Sequence, residues 1–183
     1  MHMKRVLLVL TVALLLVFVT GCNKEEKKDP PPVDISIENP LGSVAITITT
    51  MEEFNSNLSR WAGHLQDIAD RTTAEYDRWD KKELNQEEFI EEIKQINETM
   101  QMLKRESDLR TDYEMNNTQE EQAYCDRVLR NYENAMKSLN DFLVLSQELT
   151  PAQANQIKEL YTSKVLGNFK GDIKLLTDSI TAE

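Results

Sequence analysis

Residues 50–79, TMEEFNSNLSRWAGHLQDIADRTTAEYDRW, decide the fold class of this chain. Core-type side chains recur there at steps of three and four residues: Phe54, Leu58, Trp61, Leu65, Ile68, Thr72, Tyr76 and Trp79. Such steps place side chains on one face of an α-helix. The stretch therefore predicts a long amphipathic helix whose apolar face must be covered by other helices.

The rest of the chain repeats this pattern three times, and each repeat begins with a helix-start signal. The signals are Asn85 with Glu88, Thr118 with Glu121, and Thr150 followed by Pro151. A polar N-cap residue three positions before Glu forms a capping box, and proline is favoured in the first helical turn. Gly167 and Gly171 predict a kink or break in the last helix. Residues 51–183 are thus predicted to be all-α, an antiparallel up-down bundle of three to four long helices.

The predicted core faces of these later helices can be read from the same spacing. In the second helix they are Phe89, Ile93, Ile96, Met100 and Leu103. In the third they are Cys125, Val128, Tyr132, Ala135, Leu139, Phe142, Ser146 and Leu149. In the fourth they are Ala154, Ile157, Tyr161, Val165, Phe169, Ile173, Leu176 and Ile180.

Residues 34–50 have a different pattern, in which apolar and polar side chains alternate on both sides of Pro40-Leu41-Gly42. Alternation with a period of two is typical of β-strands, and the Pro-Gly segment is typical of a turn. Two interpretations stay open. The segment forms a small β-hairpin before the bundle, or its second half is an extended lead-in to the first helix.

Residues 22–33 are predicted to be a tether. Charged side chains are concentrated at positions 24–29, and Pro30, Pro31 and Pro32 follow. Consecutive prolines favour an extended polyproline II spacer, and the charges keep it solvated.

The N-terminus has the features of an export signal. Lys4 and Arg5 precede an uncharged and almost wholly apolar run of 14 residues, Val6 to Val19. That length is typical of a signal-peptide apolar region and is too short to span a membrane. The run ends in Val19-Thr20-Gly21-Cys22.

This ending resembles the lipobox of bacterial lipoprotein precursors. The resemblance covers residues 3–22 and implies that residues 1–21 are cleaved between Gly21 and Cys22. It also implies that Cys22 is lipidated and anchors the protein at the extracytoplasmic face of the cell membrane. The signal and tether are similar in style to those of small surface lipoproteins of Gram-positive bacteria, and a Gram-negative source stays open.

The charge of the chain restricts its partners. The precursor has a formal net charge of −11. Cleavage would remove Lys4 and Arg5 and no acidic residue, which leaves the mature chain near −13. Binding to nucleic acid requires clustered Lys and Arg, so the composition argues against a nucleic-acid partner.

No set of residues suited to catalysis is visible in the sequence. His64 is the only histidine after residue 21, and the acidic cluster at residues 87–92 is interpreted as a solvated helix face near a helix start. Cys125 falls on the apolar face of the third helix and is predicted to be a core residue. We therefore expect no enzyme activity, no metal and no cofactor.

Two interpretations of function follow. In the first, the acidic bundle is a binding or scaffold module for another envelope protein or polymer, with Arg78 and a half-exposed Trp79 as a partner-binding anchor at the end of the first helix. In the second, the bundle holds a lipid or peptide between its helices. The first predicts no ligand-sized pocket, and the second predicts an apolar cavity. The sequence gives no indication of the oligomeric state.

Overall fold

The computed structural model describes residues 47–108 and 117–181. The predicted signal peptide, the tether and residues 34–46 of the predicted hairpin lie outside the described residues. In the part that is described, the chain is almost entirely helical and contains no strand. The prediction of an all-α domain is confirmed at this level.

The described residues contain four long helical stretches. Helix α1 is Met51–Asp80, α2 is Gln86–Asp108 and α3 is Gln119–Gln147. The fourth stretch begins with a 3₁₀ turn at Pro151–Gln153 and continues as α4, Ala154–Leu160. A π-helical segment, Tyr161–Phe169, then leads into α5, Lys170–Thr181.

The predicted helix starts are confirmed by their hydrogen bonds. The Asn85 side chain accepts from the backbone N–H of Glu88 at 3.0 Å, and the Glu88 carboxylate accepts from the N–H of Asn85 at 2.8 Å. Thr118 and Glu121 make the same reciprocal pair at 3.2 and 2.7 Å. Each pair satisfies N–H groups that a helix start would otherwise leave without partners.

The predicted faces form a single core. The fully buried large side chains include Phe54, Leu58, Trp61, Leu65, Ile68, Phe89, Ile93, Ile96, Met100, Phe142 and Phe169. Four face positions, Tyr76, Leu149, Ala154 and Ile180, are only partly buried. Because burial of apolar area contributes roughly 25 cal/mol per Å², this core is the main source of stability in a domain without a disulfide between described residues.

Aromatic ring pairs show which helices meet in this core. They are Trp79–Phe89 between α1 and α2 (centroids 5.2 Å apart), Trp61–Tyr132 between α1 and α3 (5.5 Å), Phe142–Tyr161 between α3 and the π-helical segment (5.8 Å), and Tyr76–Tyr161 between α1 and that segment (3.7 Å). Each of the four helical stretches therefore contributes to one packed interior.

The predicted break at Gly167 and Gly171 does not occur, because a π-helical segment carries the helix through Gly167 into α5. From Ile157 to Ile173 the buried positions are four residues apart in every step. In an α-helix, four such steps would rotate the apolar face by about 160°. A π-helix has more residues per turn, so it keeps these side chains on the core side without breaking the helix.

An ion-pair group joins α3 to the π-helical segment on the surface of this core. The Asp141 carboxylate accepts from the ammonium of Lys164 at 2.8 Å and from that of Lys137 at 2.9 Å. Partial burial raises the pKa of Asp141, but the hydrogen bonds from the two lysines outweigh burial and hold the pKa below its usual value. The charged form of Asp141 is therefore favoured by folding.

We expect the Asp141→Asn variant to lower the free energy of unfolding by about 1 kcal/mol at neutral pH. Since the pKa of Asp141 is lower in the folded state, its contribution is present above about pH 4 and is lost as the pH falls through the folded pKa. Urea unfolding of both proteins at several pH values should show their difference shrinking below about pH 4. Asp67→Asn is the control, because Asp67 is exposed and makes no ion pair with a described residue. A difference that grows in acid would contradict the prediction.

Candidate functional site

A groove between α2 and α3 forms a partly enclosed concave site with a volume of about 330 Å³. We call it the α2–α3 groove. It is lined by Trp61, Lys104, Ser107, Asp108, Leu129, Tyr132, Glu133, Met136, Lys137 and Asn140. Ligand sites in proteins have volumes of about 300–1,000 Å³, so this groove is large enough for a small apolar group.

Aromatic and aliphatic side chains make up the apolar lining of the groove. Trp61 of α1 is 1% exposed, Tyr132 of α3 is 3% exposed, and their ring planes lie 34° apart. Leu129 and Met136 are partly buried and come from the same side of α3, seven residues apart. Helical residues seven apart lie almost in line, so these two side chains extend the apolar surface along α3.

Charged side chains surround this apolar lining. Lys137 is held by Asp141, whereas Lys104 is exposed and makes no ion pair with any residue in 47–108 or 117–181. The amide of Gln101 donates to Asn140 Oδ1 at 2.9 Å and joins α2 to α3 beside the groove. An apolar lining with polar groups at the rim is the usual construction of a site for an amphiphilic ligand.

Buried polar groups are concentrated near the same site. Glu106 is 2% exposed and forms an ion pair with Arg60 of α1. Ser107 donates to the carbonyl of Lys104 at 3.0 Å. The indole N–H of Trp61 is buried and has no hydrogen-bond acceptor among the described residues. Buried polar groups are costly unless they are paired, so the unpaired N–H of Trp61 lowers the stability of the domain.

The predicted anchor at the end of α1 is different in the structure. Trp79 is buried, as its place on the core face predicts, and the alternative of a half-exposed ring is wrong, because the ring is 9% exposed and stacks on Phe89 at the start of α2. Arg78 is partly exposed and donates to the Glu75 carboxylate at 2.7 Å. The Lys158 ammonium lies 5.8 Å from the Trp79 ring centroid. Trp79 therefore packs mainly within the domain, and a partner-binding role for Arg78 and Trp79 stays a prediction.

The structure also shows the positions of the other candidate residues, Cys125 and the acidic cluster at the start of α2. Cys125 is buried, as predicted, with its Sγ 3.7 Å from Met51 Sδ. Glu87, Glu88 and Glu91 are exposed at the start of α2. No group of three His, Cys, Asp or Glu side chains within residues 47–108 and 117–181 is placed to hold a metal ion. Gly21 and Cys22 lie outside the described residues.

Sequence reasoning missed the groove, although a signal for it exists. Leu129 and Met136 each follow a predicted core position, Val128 and Ala135, by one residue. A second apolar row beside the core row widens the apolar face of α3 beyond what one neighbouring helix covers.

Comparison with known proteins does not add a functional assignment. No family model matches the sequence, and no curated protein or solved structure is significantly similar to it. Of the described helices, none is both long enough and apolar enough to cross a membrane. The groove and the N-terminal motif are therefore the two features of the chain that bear on its function.

Proposed function

We propose that this chain is a bacterial lipoprotein precursor, cleaved before Cys22 and anchored by lipid at the extracytoplasmic face of the cell membrane. Its helical domain is a binding module for another envelope component and is not an enzyme. Two acyl groups on one residue make a stable anchor, whereas a single chain exchanges between membrane and water. The basic start, the apolar run and the Val19-Thr20-Gly21-Cys22 ending support this assignment.

The proposed architecture is an antiparallel up-down bundle. Contacts at both ends of the helices support it: Trp79 near the end of α1 meets Phe89 near the start of α2, and Arg60 pairs with Glu106 near the end of α2. Gln86 at the start of α2 donates to the carbonyl of Thr150, just beyond α3, at 3.1 Å. Neighbouring helices joined by short connections pack in this way.

The α2–α3 groove supports a ligand-holding role for the module. A pure scaffold would need no ligand-sized pocket, whereas a carrier needs an apolar cavity between helices. The observation that carries the proposal is a groove of about 330 Å³ in which the partly buried Leu129 and Met136 lie beside the buried rings of Trp61 and Tyr132. Such a surface would bind an apolar chain, supplied either by a lipid acyl group or by the side chains of a peptide.

Of the two sources, the rim of the groove favours an acyl chain with an anionic end. Lys104 supplies an exposed ammonium at this rim that no described acidic side chain pairs with. A carboxylate or phosphate at the end of the chain could meet this group while the chain lies against Leu129 and Met136. Glu133 and Asp108 on the same rim would disfavour a second anionic group.

The two tryptophans of the chain provide a direct test. Trp61 lines the groove, whereas Trp79 lies near the opposite end of α1. A fatty acid brominated at mid-chain quenches indole fluorescence on contact. With the Trp79→Phe variant, in which Trp61 is the only indole, we expect saturable quenching. With Trp61→Phe, in which Trp79 remains, we expect little quenching.

Three further measurements complete this experiment. Met136→Lys places a charge in the apolar lining and should weaken binding of the fatty acid by about tenfold or more. Fatty acid at 100 times its Kd should raise the free energy of unfolding by about 2.7 kcal/mol. An apolar peptide that displaces the fatty acid and binds more tightly would identify a peptide as the ligand. Equal quenching of both tryptophans would refute the groove as the site.

A further inference from the structure

A second surface, formed by the end of α3 and by α4, combines exposed apolar side chains with acidic ones. It is lined by Leu145, Glu148, Leu149, Gln156, Glu159, Leu160 and Ser163, which surround a shallow cavity of about 510 Å³. We call it the α3–α4 face. It is separate from the α2–α3 groove, with which it shares no lining residue.

Leucine side chains make the centre of the α3–α4 face apolar. Leu145 is 40% exposed, and Leu149 and Leu160 are partly buried. Val144, next to Leu145 on α3, is also exposed. Single exposed apolar residues are common, but a cluster that lines a concavity is typical of an interaction surface.

The charges of this face are negative. One of them lies at the C-terminal end of a helix, where negative charge is normally disfavoured. Glu148 is the C-cap residue of α3, and no basic residue occupies the last turn of that helix. The C-terminal end of a helix has a partial negative charge, so a carboxylate there is unfavourable by about 0.3–1 kcal/mol. Glu159 is exposed across the cavity. Neither carboxylate forms an ion pair with a residue in 47–108 or 117–181.

The lysines nearest in sequence do not neutralise these carboxylates. Lys158 pairs with Asp80 of α1, and Lys164 pairs with Asp141 of α3. A hydrogen bond to Asp80 holds the pKa of Lys158 above its usual value. The ammonium therefore lies on the side of α4 that faces α1 and pairs with Asp80 there. The electrostatic potential at the α3–α4 face is therefore negative and is determined by Glu148 and Glu159.

From this combination we infer that the α3–α4 face binds a basic amphipathic helix of a partner protein, with apolar side chains against the leucines and Lys or Arg beside Glu148 and Glu159. Charge complementarity selects this occupant over an anionic lipid surface, which the two carboxylates would repel. An amphipathic helix in an apolar groove presents its anchors at positions i, i+3, i+4 and i+7. The inference rests on the proposed role as a binding module, but the surface that it concerns is distinct from the α2–α3 groove.

The test uses a synthetic amphipathic helical peptide of leucine and lysine, labelled for fluorescence anisotropy, and the purified full-length protein. A peptide with glutamate in place of lysine is the control for the sign of the charge. We expect the lysine peptide to bind at low salt, to lose affinity as salt rises, and to bind far more tightly than the glutamate peptide.

Charge-reversal variants then locate the site. Glu148→Lys with Glu159→Lys should weaken binding of the lysine peptide by about tenfold or more. The matched control is Asp67→Lys with Glu98→Lys, two exposed acidic residues on α1 and α2 whose replacement changes the net charge equally. The control should weaken binding by less than about threefold, because its effect is limited to the screened long-range field. Leu145→Ser, with no change in charge, should also weaken binding.

Stability measurements separate loss of binding from loss of the fold. Glu148→Lys alone places a cation at the end of α3 and should leave the protein as stable as before or more stable by about 0.5 kcal/mol. Met136→Lys in the α2–α3 groove should leave peptide binding unchanged, so that failure of the acyl-chain proposal and failure of this inference are distinguishable. Equal weakening by the two charge-reversal pairs, or equal binding of both peptides, would overturn the inference.

Discussion

Replacement of Cys22 by alanine should abolish lipid attachment and leave the precursor uncleaved. In the lipoprotein family that the N-terminus resembles, the thiol of this cysteine receives the diacylglyceryl group, and cleavage then makes the cysteine the new N-terminus. Alanine has no thiol, so neither step can proceed at position 22. The expected change is from a lipid-modified chain that starts at residue 22 to an unmodified chain that retains residues 1–21.

Incorporation of a labelled fatty acid and the intact mass of the protein measure this effect directly. Location in the membrane fraction alone would be ambiguous, because the uncleaved apolar run Val6–Val19 could keep the precursor on a membrane. The chain provides its own control in its second cysteine. Cys125 is 4% exposed and packed in the core, so Cys125→Ala should retain full labelling. Labelling of Cys22→Ala, or loss of labelling in Cys125→Ala, would disprove the lipoprotein assignment.

The second large effect is expected in the core. Phe142→Ala should lower the free energy of unfolding by about 3–5 kcal/mol. Phe142 has no exposed surface, and its ring packs edge-on against Tyr161 across the interface between α3 and the π-helical segment. Truncation would leave a cavity at that interface and remove the ring contact. Domains of this size are stable by about 5–15 kcal/mol, so this single change would remove a large part of the total.

Val144→Ala is the matched comparison for Phe142→Ala. It lies two residues away on the same helix and is 37% exposed, so we expect a change below about 0.5 kcal/mol. Urea unfolding followed by the helical circular dichroism signal gives both values. A small effect of Phe142→Ala would mean that α3 and the π-helical segment are not packed together as described.

The α2–α3 groove and the α3–α4 face suit different proposed partners. The groove is apolar and partly enclosed, and its exposed lysine, Lys104, suits an anionic end group. The α3–α4 face is open and bordered by two carboxylates, which suits a basic helix. A lipoprotein with both sites could hold a lipid chain and dock on a protein of the same envelope. The salt dependence of peptide binding, set against fatty-acid binding that depends mainly on apolar contact, would separate the two activities.

Much of the fold could be predicted because it depends on local rules. The steps of three and four residues identified the buried face of each helix, since helical geometry alone decides which side chains share a face. Asn85 with Glu88 and Thr118 with Glu121 marked two helix starts, since a capping box is formed within four consecutive residues. The burial of Cys125 followed from the same spacing.

Other features required the contacts between helices. Trp79 lies on the core face but near the end of α1, so spacing alone left a half-exposed ring open, and Phe89 from the next helix covers it. The π-helical segment has a local signal, four steps of four residues, yet its cause is the need to keep Tyr161, Val165 and Phe169 on a core formed by other helices. A residue's position within its own helix could not supply either result.

The sequence by itself determined the helical class, the starts of the helices and the residues of the core, and it carries the motif from which lipid attachment at Cys22 is proposed. Only the tertiary structure decided where the two concave surfaces lie. The α2–α3 groove combines Trp61, Lys104 and Met136 from three helices, and the α3–α4 face combines Leu145 with Leu160 across a turn. Amphipathic periodicity specifies that a helix has a buried side, but the gaps between helices depend on how unlike side chains fill the space where they meet.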